Sequence, residues 1–178
     1  MTWFQKKLLN LLEELDKAKI MYELSDELKR IADPKKIEVY KRFFKTGKGQ
    51  YGEGDIFLGL TVPQTRDIAK KFTHLSLDMV RNHLSSKNHE ERLASLFILN
   101  EKFKKEIKKE IFNFYLENKA FVNNWDLVDS SADKIIGVYL FDKDKKIIYD
   151  LSKSDNLWDK RIAIVSTFAF IKKSKFDD

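Results

Sequence analysis

Apolar residues return at helical spacing along almost the whole chain, and strand-like alternation is scarce, so this sequence can build little other than packed helices. Leu8, Leu11, Leu12 and Leu15 form one such stripe, and Leu93, Leu96 and Phe97 a second. Ile107, Ile111 and Phe114 form a third, and Ile135, Ile136, Tyr139 and Leu140 a fourth. The nearest approach to a strand, I-F-L-G-L-T-V at 56–62, carries a glycine in its middle and runs into Pro63, which predicts a loop leading into a helix. Only two prolines occur, and five of the six glycines crowd into residues 47–59, which marks that segment as a deliberately irregular connection. The breaks at 85–91, S-S-K-N-H-E-E, and at 152–156, S-K-S-D-N, are short and polar, and short connections make antiparallel helix neighbours. The expected fold class is all-α.

Those two breaks lead into related sequences, R-L-A-S-L-F-I-L from Arg92 and R-I-A-I-V-S-T-F from Arg161. The similarity reads as an internal repeat. Stacked helix pairs of the HEAT kind need only a turn, a helix with an apolar face and a partner, and they build a curved slab with a concave side.

At 178 residues with 43% hydrophobic content, the chain has the size of one ordinary domain with a real core. Its 34 basic residues outnumber 28 acidic ones, a formal charge of +6, which suits either a polyanionic partner or a plainly solvated lysine-rich surface. There is no cysteine, so disulfides, cysteine zinc sites and thiol catalysis are excluded and a cytoplasmic location is expected. Glu13, Glu14 and Asp16 interrupt the first leucines, so the start reads as an amphipathic helix and not a secretory signal, and no membrane association is expected.

The glycine-rich segment lacks the G-x-x-x-x-G-K-[ST] pattern of a phosphate-binding P-loop. Residues 35–50 nevertheless hold six basic side chains against one acid, and Lys48, Gln50 and Tyr51 stand among the glycines. Such a loop either tracks a phosphodiester backbone or is simply solvated. Pro63 followed by Q-T-R-D is a good helix start, with Arg66 one turn in, free to contact phosphate or to pair with a neighbour. His74, His83 and His89 fall at no metal-ligand spacing and show no carboxylate partner in register, so they are assigned no role. No metal or cofactor is implied.

Two tryptophan-bearing helix starts remain. In N-N-W-D-L-V-D-S-S-A, residues 123–132, a cap at Asn123 or Asn124 puts Trp125 and Asp129 four apart on one face, with Asp126 pointing elsewhere. In S-D-N-L-W-D-K-R-I-A-I, Asp155 or Asn156 caps a helix on which Trp158 and Arg161 are neighbours. Each tryptophan either fills the core or faces a ligand.

Three stretches, F-F-K-T-G-K-G-Q-Y-G-E-G-D-I-F-L-G-L-T-V-P-Q-T-R, N-W-D-L-V-D-S-S-A and L-W-D-K-R-I-A-I-V-S-T-F, in this order and spacing, resemble the AlkD-type DNA alkylation repair family of HEAT-like repeat DNA glycosylases. The resemblance runs from about residue 25 onward. It implies HEAT-like helical repeats stacked into a curved α-α superhelix with a basic concave face, in a single domain spanning 1–178. It also implies hydrolysis of the N-glycosidic bond of cationic N3- or N7-alkylated purines in duplex DNA, without a cofactor or an obligate protein partner. Carried over by motif, the family's carboxylate falls on Asp129, its first indole on Trp125 and a DNA-contacting arginine on Arg161, while Tyr51, Thr61 and Arg66 fall where the family's N-terminal helices meet DNA. Lys48 is added on charge alone. No lysine is placed as an amine nucleophile, so simple hydrolysis without strand cleavage is expected. Family members continue with further helices, whereas this sequence ends at K-S-K-F-D-D, so the expectation is either a fragment or a shortened member with an open cleft. Two other readings stand beside this one: a non-catalytic nucleic-acid-binding HEAT module, and a helical protein-interaction scaffold with Trp125 and Trp158 buried.

Overall fold

The computed structural model describes residues 3, 5–8, 23–105 and 108–174, and all of its regular structure is helical among these. Leu8 is on a helical turn and exposed, while Leu11, Leu12, Leu15 and Ile107 of the expected stripes lie outside the described residues. Residues 23–30 (α1) bury Leu24 and Leu28, and α2 (Pro34–Phe43) starts at Asp33, whose carboxylate accepts from the Lys35 N–H. Residues 56–61 form a loop, as the glycine at 59 and the proline at 63 demand. It makes a single parallel bridge between Ile56 and Asn88 before α3 (Val62–Lys71) begins with Pro63 in its first turn. Then follow α4 (Leu77–Leu84), α5 (His89–Lys105) and α6 (Lys108–Glu117).

Helix α5 is the axis of this half. It packs on α3 and α4, and Leu93, Leu96, Phe97, Ile98 and Leu99 are all essentially removed from solvent. Burial of each such side chain stabilises by roughly 1.5–3 kcal/mol. The chain then turns through a 3₁₀ segment (Lys119–Phe121) into α7 (Trp125–Asp129), a π-turn segment (Asp133–Gly137) and α8 (Val138–Leu140). Helices α9 (Lys146–Ser152), α10 (Leu157–Ser166) and α11 (Phe168–Ile171) complete the described chain, with α10 packed on α9 and α7.

The repeat seen in the sequence is carried by α5 and α10. Two residues before the arginine of each stands a buried carboxylate that fastens the helix start to earlier chain. Glu90 accepts the N–H groups of Leu58, Gly59 and Leu60 at 3.0, 2.8 and 3.2 Å, satisfying a loop that would otherwise bury bare donors. Asp159 accepts from Lys119 Nζ at 2.6 Å and from Ser154 Oγ at 2.8 Å. Stacked helical pairs fastened in this way make an all-α, HEAT-like array.

Gly59 is required where it stands. Its φ is +86°, and a Cβ would collide with the Asp33 carbonyl oxygen. Gly59→Ala should therefore cost at least about 1–3 kcal/mol, read as a lower denaturation midpoint with an unchanged slope.

Candidate functional site

Helix α7 is only five residues long, too short to hold itself in place, and the surrounding chain fixes both its ends. At its start Asn124 is the cap, its Oδ1 accepting from the Trp125 N–H at 2.8 Å. At its end the Ser130 carbonyl accepts from Asn100 Nδ2 at 2.9 Å and Lys134 Nζ at 2.8 Å, and the Ser131 hydroxyl bonds the Leu127 carbonyl at 2.6 Å. Asp129 is thereby held on a rigid element while staying open to solvent.

Arg161 reaches it from α10. The Asn156 cap accepts from the N–H groups of Trp158 and Asp159, setting the α10 start and leaving Trp158 and Arg161 one turn apart. Arg161 Nε donates to Asp129 Oδ1 at 2.8 Å and Nη2 to Oδ2 at 2.7 Å, a bidentate pair between side chains 40% and 38% exposed. The carboxylate raises the pKa of the guanidinium, chiefly through these hydrogen bonds. Exposure at this level makes the pair available to a ligand instead of sealing it in the core. Tyr51 of the glycine-rich loop lies edge-on to Trp158 with ring centroids 5.6 Å apart. Asp129, Arg161, Trp158 and Tyr51 therefore come from three separate segments to one place.

Trp125 is placed differently. It is half-buried, stacked on Phe44 at 5.5 Å and edge-on to the exposed Phe43 at 5.6 Å. Its indole helps wall an apolar cavity of about 300 Å³ shared with Tyr40, Phe57 and Leu60. Thr61 caps α3 in a capping box with Gln64, its hydroxyl donating to Gln64 Oε1 at 2.8 Å. Arg66 is exposed and lies over the Phe97 ring, 4.6 Å from its centroid. It lines a small cleft with Lys70, Lys104 and Lys134, the last of which holds the carbonyl next to Asp129. Lys48 is exposed on the loop.

One sequence expectation is corrected here. Two of the three histidines do have carboxylate partners. His89 is buried, with Nε2 2.7 Å from Asp126 Oδ2 and Nδ1 3.1 Å from Asp55 Oδ2. His83 Nδ1 lies 3.6 Å from Glu91 Oε2. Asp126 does point away from Asp129, and His89 is what it points to. Burial opposes a charge on His89, but the hydrogen bonds to Asp126 and Asp55 outweigh it and raise its pKa. Burial likewise opposes the Asp55 charge, yet the bonds from His89 and Arg92 hold its carboxyl below the usual range. The buried cluster thus joins one imidazole, two aspartate side chains and a guanidinium.

Among the described residues, no helix is long and apolar enough to cross a membrane. The family model described as DNA alkylation repair enzyme matches residues 24–178. No curated protein gives a significant match.

Proposed function

We propose that this chain, which belongs to the family of DNA alkylation repair enzymes, is a monofunctional glycosylase hydrolysing the N-glycosidic bond of cationic N3- and N7-alkylated purines in duplex DNA. The observation that carries the reading is the meeting of Asp129 and Arg161, from two different helices, in a half-exposed bidentate pair beside Tyr51 and Trp158.

A positively charged base is already a good leaving group, so no strong acid is needed to protonate it. What must be stabilised is the sugar as it becomes oxocarbenium-like, and a fixed carboxylate does this electrostatically. Asp129 keeps free lone pairs although both its oxygens accept from Arg161, so it can also orient the attacking water. Trp125, on the same short helix, packs on Phe44 and Phe43 and borders the site as an aromatic wall. Arg161 holds the carboxylate in position and presents its remaining N–H groups to the DNA backbone. Lys48 and Tyr51 on the loop, with Thr61 and Arg66 at the start of α3, complete the grip on the duplex, in a single domain of residues 1–178. The cleft at Phe97, with Arg66, Lys70, Lys104 and Lys134 against the one acid Glu101, has a net positive lining that suits a phosphate-bearing partner. No step in this chemistry calls for a cofactor.

The test is release of 7-methylguanine and 3-methyladenine from methylated duplex, run beside a salt series of duplex binding. Release together with affinity that falls steeply with salt is the expected result. Salt-dependent binding without release would leave a non-catalytic nucleic-acid-binding module. Loss of both would leave an interaction scaffold.

A further inference from the structure

The buried charges around His89 join the two segments that carry the proposed site. Asp55 closes the glycine-rich loop on which Lys48 and Tyr51 stand, and Asp126 lies in the first turn of α7, three residues before Asp129. The two acids are 71 positions apart in sequence, yet one imidazole touches both. We infer that His89 is a positioning residue: clamped between Asp126 and Asp55, it fixes the loop bearing Tyr51 relative to the helix bearing Trp125 and Asp129. This rests on the glycosylase reading for its effect on rate, but the geometry stands apart from it.

Arg92, Asn124, Phe57 and Phe44 around the imidazole support that clamp. Arg92 Nη2 donates to Asp55 Oδ2 at 2.6 Å and lies 3.4 Å from His89 Nδ1, keeping Asp55 turned toward the ring. Asn124, the α7 cap, places its Nδ2 3.4 Å from the same Asp55 oxygen, so helix start and loop share a second link. Phe57 stacks on the imidazole at 4.7 Å and Phe44 flanks it at 4.8 Å, and Phe44 in turn stacks on Trp125. Glu90, the adjacent acid, is turned away and engaged by the backbone of residues 58–60. The two ring nitrogens lie on opposite sides of the imidazole, so one side chain spans Asp126 and Asp55 at once.

The experiment compares His89→Gln and Asp126→Asn with Glu91→Gln, a buried acid of α5 that pairs with His83 and accepts from Asn88. Single-turnover release of 7-methylguanine should fall about 10- to 100-fold in the first two variants, because small displacements of a reacting group are costly. Duplex affinity should stay within about threefold, since phosphate contacts dominate it. Hydrogen exchange at the Val128, Ser130 and Ser131 amides, all bonded within and just after α7, should quicken about tenfold or more. The double variant should be no slower than the slower single one, as groups acting through one clamp are not additive. Glu91→Gln should leave release and α7 exchange unchanged. Unmoved α7 exchange in both His89→Gln and Asp126→Asn overturns the inference, as does quickening spread evenly through α3–α5. Loosened α7 with undiminished release would overturn it too. If His89→Gln fails to fold, Asp126→Asn, which keeps the side chain's shape but replaces one acceptor oxygen by a donor, decides alone. If the unmodified protein releases no base, the glycosylase reading falls, and exchange at α7 still decides whether His89 holds the two segments together.

Discussion

Asp129→Asn should abolish base release while leaving the protein folded and bound to DNA. The carboxylate is 38% exposed and paired with the similarly exposed Arg161, so its loss should change stability by less than about 1 kcal/mol. Its loss from the reaction is another matter. A fixed charge aimed at a developing opposite charge is worth about 100- to 1000-fold in rate, and an amide of the same shape retains only its dipole. The Asn Nδ2 group would also face the Arg161 guanidinium, donor against donor, so Arg161 would leave its bidentate geometry. Duplex affinity should hold or improve slightly, because a negative charge is removed from beside the phosphates. Single-turnover release and a binding titration at one fixed salt concentration separate these effects. Release that persists in the variant would remove Asp129 from the centre of the reaction.

How much of this was legible in the sequence depends on how far apart the interacting residues are. The helices could be read because their signal is local: Leu93, Leu96 and Phe97 are one turn apart, and all are buried. The same holds for Ile135, Ile136 and Leu140. Caps could be read for the same reason, although the sequence left Asn123 against Asn124 and Asp155 against Asn156 undecided; the structure selects Asn124 and Asn156. Spacing put Trp125 and Asp129 four apart on α7, but it could not tell that the indole packs on Phe44 while Asp129 meets Arg161. Phe43 and Phe44 lie some eighty positions upstream, and only the tertiary fold stacks them on the indole. His89 was missed for the same reason. Its partners are 34 and 37 residues away on opposite sides, so no helical register could announce them. One cue was present: His89 and Arg92 are a turn apart at a helix start, and the repeat aligns them with Trp158 and Arg161.

That alignment leads to the largest expected effect on stability. Arg92 and Arg161 occupy the same place in their repeats, and each is paired with an aspartate from earlier in the chain, yet their surroundings are opposite. Arg92 and Asp55 are each 6% exposed, and Arg92 Nη1 also donates to the Ser86 carbonyl at 3.1 Å. Arg161 and Asp129 are 40% and 38% exposed. Arg92→Ala should therefore cost about 3–5 kcal/mol, because it leaves Asp55 with a buried charge and one partner fewer. Arg161→Ala should cost under about 1 kcal/mol. In a chain of this size the first corresponds to a fall in Tm of roughly 6–20 °C and the second to no more than about 4 °C. Thermal melts of the two variants side by side check this directly. Equal losses would mean that Arg161 is as structural as Arg92, and its exposure would then count for nothing. Unequal losses would leave the second repeat holding a strong, oriented ion pair at the surface where folding has little use for it. A pair kept there in spite of its small structural contribution is what a site for an outside ligand requires.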